Sequence, residues 1–273
     1  MVLLIGGKGL LGSALLNSSV ILKDTDNLIL GRGDVSLIDW KKNPFSHKIE
    51  LVIYLAASTI PSRDVTNEVI LNTKLLLEEF YIILDWSIRA KVPFVFISSS
   101  GSLSLRREII PWRENDLPSL SSYYSQIKVL QEGLLISNLA KENLIIMRPS
   151  NLFGFEKIKK GFGLVDNLKF LKKTGNAINI FSNINCYRDY IYVEDFVYVF
   201  DKIIKSQYRG VVNVASGHIY TILELIEAAN VKFHLVDGYD NLEPYHSVID
   251  NGIMRQLISS YLFKDPINYL VRV

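Results

Sequence analysis

Cysteine is nearly missing from this chain: there is one, Cys186, among 273 residues. A single thiol excludes an internal disulfide framework and a zinc site built from several cysteines. Excess charge of either sign is missing too, because 30 Lys+Arg against 28 Asp+Glu leave a net charge of +2. Electrostatic binders of nucleic acid carry a basic stripe, and this balance does not provide one. No apolar run approaches the roughly 18 residues of a membrane helix. The most apolar helical segment, Leu75 to Ile88, is interrupted by Glu78, Glu79 and Asp85. Val2–Ile5 is a short burst closed by glycines, too brief for a signal-peptide core. Repeats, low-complexity tracts and long linkers are absent as well. The histidines His47, His218, His234 and His246 fall outside every motif, so surface or structural roles are read for them and no metal is expected. The expectation is a soluble, cytoplasmic protein that binds neither nucleic acid nor membrane.

The composition, 49% hydrophobic and 21% charged, is that of a globular protein. At about 150 residues per domain, the length suits one large domain or two closely joined ones. Val2–Ile5, Asn27–Leu30, Leu51–Leu55, Phe94–Ser98 and Leu144–Met147 are short runs rich in Val, Ile, Leu and Phe. Between them, Leu10–Leu16, Leu75–Ile88 and Tyr124–Leu139 carry apolar residues at helical spacing. Strands buried on both faces and separated by helices read as βαβ units of a doubly wound parallel sheet. The last third is less regular, with short β-like runs at Tyr190–Val193 and Val211–Val214. The expected organisation is α/β: a dinucleotide-binding domain over 1–153, with segments near 181–215 returning to it, and a smaller mixed lid from 154–180 and 216–273.

Val2–Ile5 runs straight into Gly6-Gly7-Lys8-Gly9-Leu10-Leu11-Gly12, and a helical pattern follows. Backbone can approach a pyrophosphate closely only where side chains are absent, and a helix N-terminus adds N–H donors and a positive dipole end. Glycines after a strand are often just a turn; the strand before and the helix after give this loop its meaning. Gly6, Gly9, Leu10, Leu11 and Gly12 are therefore candidate contacts of a Rossmann-type dinucleotide site. About 20 residues past such a loop, an acid suits the ribose of NAD and an arginine suits the 2′-phosphate of NADP. Arg32 stands there, within Leu30-Gly31-Arg32-Gly33-Asp34, with no acid at the strand end. Asp34 comes two residues later and could reach the adenine side. NADP(H) is favoured, and NAD(H) stays open.

Phe94-Val95-Phe96-Ile97 ends in Ser98-Ser99-Ser100-Gly101-Ser102. Hydroxyls at the carboxyl end of a parallel strand face the crevice where such sheets bind ligands. Downstream stands Tyr124-Ser125-Gln126-Ile127-Lys128, and residues four apart share a helix face. A phenol titrating near its ordinary ~10 moves protons poorly at neutral pH. A neighbouring ammonium and an oxidised nicotinamide favour the phenolate, so a depressed pKa is expected. Tyr123 competes for the role, but Ile127 lies four beyond it, and only Tyr124 has the lysine in register.

These residues resemble the extended short-chain dehydrogenase/reductase superfamily of nucleotide-sugar epimerases, dehydratases and reductases. The resemblance runs from Val2 to about Glu224. It takes in the Gly6–Gly12 loop, Leu55-Ala56-Ala57, Asn72-Thr73, the serine strand, and Tyr124 with Lys128. It continues through Arg148-Pro149-Ser150-Asn151-Leu152-Phe153-Gly154 and Arg188-Asp189-Tyr190-Ile191-Tyr192-Val193-Glu194-Asp195. It implies Ser100, Tyr124 and Lys128 as catalytic residues. Leu55, Ala56, Ala57, Asn72, Ser98, Pro149 and Ser150 would line the cofactor. Ser102, Asn151 and Arg188 would meet a nucleotide-sugar, the arginine through its bidentate fork. It also implies a homodimer through Leu75–Ile88 and Tyr124–Leu139, with Ile82, Trp86, Leu130 and Leu134 offered to the partner, and a place in making sugar precursors of surface polysaccharide.

Within the superfamily, dehydratases follow the catalytic hydroxyl with an Asp-Glu pair, whereas Gly101-Ser102 cannot do that acid–base work. Reductases that also epimerise carbons 3 and 5 carry a cysteine near the serine strand and a histidine after the RPSNLFG-type segment. Ser102 occupies the first place, and Glu156–Gly163 holds no histidine. Arg32–Asp39 resembles the second-strand segment of NADPH-using reductases of 4-keto nucleotide-sugars, and the chain is short for a 4-epimerase. A 4-keto-sugar reductase using NADP(H) is the first expectation and an NAD-dependent 4-epimerase the second. A non-catalytic NADP-binding protein is a third, opposed by the intact Ser100, Tyr124 and Lys128.

Overall fold

A computed structural model describes the chain apart from residues 32, 36–37, 39–47, 57–65, 156–162, 238–244 and 273 and the side chain of Ser102. In order, the elements are β1 (Val2–Ile5), α1 (Leu10–Ser18), α2 (Val20–Lys23), β2 (Asn27–Leu30), β3 (Leu51–Tyr54), α3 (Asn67–Ala90) and β4 (Phe94–Ile97). Then come α4 (Ser100–Leu103), α5 (Tyr123–Asn138), β5 (Leu144–Pro149), β6 (Asn151–Phe153), α6 (Leu164–Thr174), β7 (Ile178–Ile180) and β8 (Tyr187–Tyr192). The chain closes with α7 (Val193–Lys205), β9 (Gly210–Val214), β10 (Ile219–Thr221), α8 (Ile222–Ala229), β11 (Phe233–Leu235), α9 (Gly252–Ile258) and α10 (Pro266–Val271). Contacts divide it into two compact units.

The first unit comprises residues 1–99, 120–147 and 200–212. Its sheet runs β2-β1-β3-β4-β5-β9, the doubly wound order expected, with β1 parallel to β2 and β3, and β4 parallel to β3 and β5. Register aligns Ile5 with Leu30 and Tyr54, Tyr54 with Phe96, and Ile97 with Met147. The carboxyl ends of these strands therefore finish level, which brings Gly6, Gly31, Leu55 and Ser98 to one edge. Order reverses between β1 and β3, and ligands of such sheets bind at that switch point. Tyr54, Phe80, Phe94 and Phe96 form an aromatic core cluster, with Tyr54 and Phe80 edge-to-face at 5.1 Å. Thr66 caps α3 by accepting the Val69 amide, and Lys91 ends it in the left-handed conformation. That helix turns Leu76, Phe80, Ile83 and Trp86 inward. Trp86 is 4% exposed and belongs to the core, so it is not available to a partner; Ile82 and Leu134 also pack partly against it, whereas Leu130 is exposed. Inward and outward faces of a long apolar helix differ by single positions, and only the sheet beneath decides which is covered.

The second unit comprises 100–119, 148–199 and 213–273. Residues 100–119 join it through backbone bonds: Arg106 exchanges bonds with His246, the Trp112 amide reaches the Val248 carbonyl, and the Asp250 amide reaches the Trp112 carbonyl. Here β8 pairs with β6 in parallel and with β10 in antiparallel, and β7 pairs with β11 in parallel. Buried Asp166 of α6 accepts from the Gly154 and Phe155 amides and from the Tyr269 hydroxyl of α10. His246 has a structural role, accepting the Tyr187 amide on Nδ1.

Candidate active site

In the first unit the glycine loop is built by close backbone approach. A Cβ on Gly12 would come within 2.5 Å of the Gly6 carbonyl oxygen and of Gly7 Cα. One on Gly6, whose φ is +89°, would come within 2.9 Å of the Ala56 amide nitrogen. Side chains are thus excluded where the loop after β1 meets the segment after β3, at the switch point. Gly9 precedes α1 with no side chain capping the helix's free N–H groups, and Leu10 and Leu11 open its first turn. Ser98, 4% exposed at the end of β4, has a hydroxyl with no partner among the described residues. A side-chain-free cradle and an orphaned buried hydroxyl on one sheet edge fit a dinucleotide. Asn72 is half-buried on α3. Arg32 and Ala57 lie outside the described residues.

Two acids order this edge, through partners that the sequence reading did not assign. Asp34 accepts from Lys8 Nζ at 2.9 Å and from the Gly31 amide at 2.7 Å. Those bonds hold its carboxyl below the usual range, the Gly31 amide more than the lysine. Glu79, 3% exposed, reaches from α3 to accept the Gly33 and Val35 amides at 3.2 and 3.1 Å. The signal for Glu79 was present as an acid inside an apolar helix; its partners, more than 40 residues earlier, were not readable.

Tyr124 and Lys128 stand on α5, whose N-terminus is fixed by a capping box between Ser122 and Ser125. Lys128 is 3% exposed; its Nζ donates to the Ile97 carbonyl at 3.0 Å and lies 5.9 Å from the Tyr124 ring centre. Burial pulls the ammonium down to about 8, against the opposing charge of Glu132. The Tyr124 phenol is pushed up to about 12 by burial, with a hydrogen bond to the Ser99 side chain drawing it back. The expected depression is therefore not found in the protein alone. Removal from water outweighs everything else at the phenol, and the ammonium is directed at a strand carbonyl. Ser99 is a neighbour the sequence reading passed over.

Ser100 belongs to the second unit, where its buried hydroxyl donates to the Arg148 carbonyl at 2.9 Å. Pro149 and Ser150 are buried beside it in sequence, and the Ser150 amide donates to the Val214 carbonyl. Asn151 and Arg188 do come together, lining one groove of about 310 Å³ with Leu164, Ser182, Tyr190 and Ile222. Asn151 Nδ2 donates to the Asp189 carbonyl at 2.8 Å, and a Cβ on Gly101 would meet Asn151 Oδ1 at 2.9 Å. Arg188 donates to the Tyr187 and Tyr245 carbonyls. Asp189, next to it in sequence, is fully buried, and burial raises it to about 7 against bonds from the Gly217 and Ser216 amides.

Residues 2–215 match the model of the NAD dependent epimerase/dehydratase family. A dTDP-4-dehydro-6-deoxyglucose reductase of Escherichia coli is 30% identical over 230 residues, 76% of this chain; the match spans 66% of that relative's length, just under two thirds. Among solved structures, UDP-glucose 4-epimerase of Thermus thermophilus in complex with NAD superposes with a TM-score of 0.77 at 20% identity, over 99% of this chain and 97% of that one. The dTDP-4-dehydrorhamnose reductase of Yersinia enterocolitica gives 0.74 at 17% identity, over 99% and 97%. With the family model covering most of the length, the chain belongs to the NAD dependent epimerase/dehydratase family, a family of NAD(P)-dependent nucleotide-sugar enzymes.

Proposed function

We propose that the protein is an NADPH-dependent reductase of a 4-keto nucleotide-sugar. What supports this reading is Tyr124 with the buried ammonium of Lys128 one turn along α5, together with the 30% identity to a dTDP-4-dehydro-6-deoxyglucose reductase. A reduction needs an acid: oxygen that gains charge as its carbonyl is reduced takes a proton, and Tyr124 holds one throughout the neutral range. Lys128 stabilises the phenolate left behind, while the Ser100 hydroxyl donates to the Arg148 carbonyl and is assigned no bond to the substrate oxygen. The Gly6–Gly12 loop, Ala56 and Ser98 hold the dinucleotide, which supplies the hydride when bound. Arg32 and Lys8 meet the 2′-phosphate. Asn151 and Arg188 receive the nucleotide-sugar. Gly101 leaves no acid for elimination, and a side chain there would displace Asn151.

Purified protein mixed with NADPH and a dTDP-linked 4-keto-6-deoxyhexose is the direct test. Stoichiometric loss of absorbance at the reduced nicotinamide band supports the reading. Tightly held NAD, with interconversion of 4-hydroxy epimers and no net cofactor consumption, overturns it. The cofactor preference is tested separately. Arg32→Ala should weaken NADPH by about tenfold or more while NADH is nearly unchanged, a charge-assisted contact contributing roughly 1.5–3 kcal/mol. Equal loss for the two cofactors would count against NADP. The assembly is proposed to be a homodimer through the outer faces of α3 and α5, where Ile70, Tyr81, Leu130 and Ile136 are exposed.

A further inference from the structure

Within the second unit, a cavity of about 480 Å³ lies beside α6 and α10 and shares no lining residue with the Asn151–Arg188 groove. Four cations line it: Lys169, Lys173, Lys264 and Arg272. One acid lines it, Asp166, and its oxygens already accept from the Gly154 and Phe155 amides and the Tyr269 hydroxyl. Four cations and one carboxylate leave a local charge of +3, more than the +2 of the entire chain. A solvated surface ordinarily interleaves charges of both signs; this wall does not.

Two of the cations are fixed in place. Lys264 Nζ sits 3.8 Å from the Tyr192 ring centre, and Lys169 Nζ sits 3.6 Å from that of Tyr269. Cation–π contact orients an ammonium without neutralising it. Lys172 ties the same two helices together by donating to the Leu270 carbonyl. Lys173 and Arg272 are exposed at the rim and have no ion-pair partner among the described residues. Four like charges around a single carboxylate raise the free energy of the empty cavity, and burial together with Lys173 and Lys264 lowers the proton affinity of Lys169 against the opposing charge of Asp166. A bound anion would relieve that repulsion.

We propose that this cavity is a second ligand site, separate from the nucleotide-sugar groove, for a small molecule bearing a diphosphate. A diphosphate carries two to three charges, which matches the excess. Arg272 offers a bidentate fork and the lysines offer point charges. The Phe155 and Phe170 rings lining the cavity give an organic group on the diphosphate an apolar surface, and the volume lies within the usual range of about 300–1,000 Å³ for ligand sites. The inference does not depend on the reductase reading, because none of these residues takes part in it.

The test is calorimetric titration of the whole protein, saturated with NADPH, with inorganic pyrophosphate. The Kd should rise at least about tenfold in Lys173→Ala/Arg272→Ala, recover in Lys173→Arg/Arg272→Lys, and stay unchanged in Arg188→Ala. It should also weaken with added salt. Both alanines replace exposed side chains; unchanged thermal melting verifies the fold, and Lys264→Ala repeats the measurement with a different cation. Titrating UDP in the Arg188→Ala background separates the sources. Tighter binding than pyrophosphate assigns a nucleotide, and equal binding assigns the diphosphate group alone. Failure of wild type to bind pyrophosphate, equal affinity in the double variant, or loss in Arg188→Ala alone overturns the proposal.

Discussion

The phenol of Tyr124 and the ammonium of Lys128 lie one helical turn apart and are displaced by burial in opposite senses of charge: each is pushed toward its neutral form. Replacing the phenol by Tyr124→Phe keeps the ring and its packing but removes the acid. Turnover should fall by about 10²–10⁴ with cofactor affinity nearly unchanged, while Tyr123→Phe stays near wild type; steady-state kinetics on both variants decide the register. For Lys128 the sign runs the other way from a stabilising ion pair. Its pKa falls from about 10.5 unfolded to about 8 folded, so keeping the ammonium buried destabilises the fold below pH 8. That penalty fades as pH rises from 8 and is gone above about 10.5. Lys128→Met should therefore raise stability by about 1–3 kcal/mol at pH 7, with the gain shrinking through pH 8–10, while activity is lost. Denaturant melts of both proteins at pH 7 and 10 check this, and a gain that grows with pH would contradict it.

At the scale of elements, the β1–α1 junction depends on absent atoms. Gly12→Ala would put a methyl group within 2.5 Å of the Gly6 carbonyl and Gly7 Cα, backbone that cannot rotate away. Overpacking of this kind costs about 1–3 kcal/mol, and the shift it forces opens the cradle. The variant should melt lower and lose NADPH binding, as thermal melting and cofactor titration would report; full cofactor affinity would show that the loop does not hold the dinucleotide. Helix α3 supplies the other half of this edge. Its Glu79 accepts the Gly33 and Val35 amides and so holds the backbone from 33 to 35 against the helix. An acid that interrupts an apolar helix in the sequence is therefore a strut between helix and turn.

For the whole molecule, the two helices proposed to meet a partner expose a different set of side chains from the one expected. Leu130 on α5 is 43% exposed and Tyr81 on α3 is 49% exposed, against 4% for Trp86. Leu130→Glu should convert a dimer at micromolar concentration to a monomer by light scattering without unfolding it. A wild-type monomer would remove the assembly proposal altogether. Among the described residues, no helix is long and apolar enough to cross a membrane, and no group of His, Cys, Asp and Glu is placed to hold a metal. The sequence by itself determined the alternation of strands and helices, the glycine loop and the lysine one turn after Tyr124, because each is a local pattern with a period of its own. Tertiary structure decided what depends on neighbours distant along the chain. It buried Trp86, engaged Asp34 with Lys8, grouped residues 100–119 with the 246–250 segment, and carried the Tyr124 phenol upward instead of downward. Each of these turns on which groups lose their water when the layers close, a quantity that no window of adjacent residues contains.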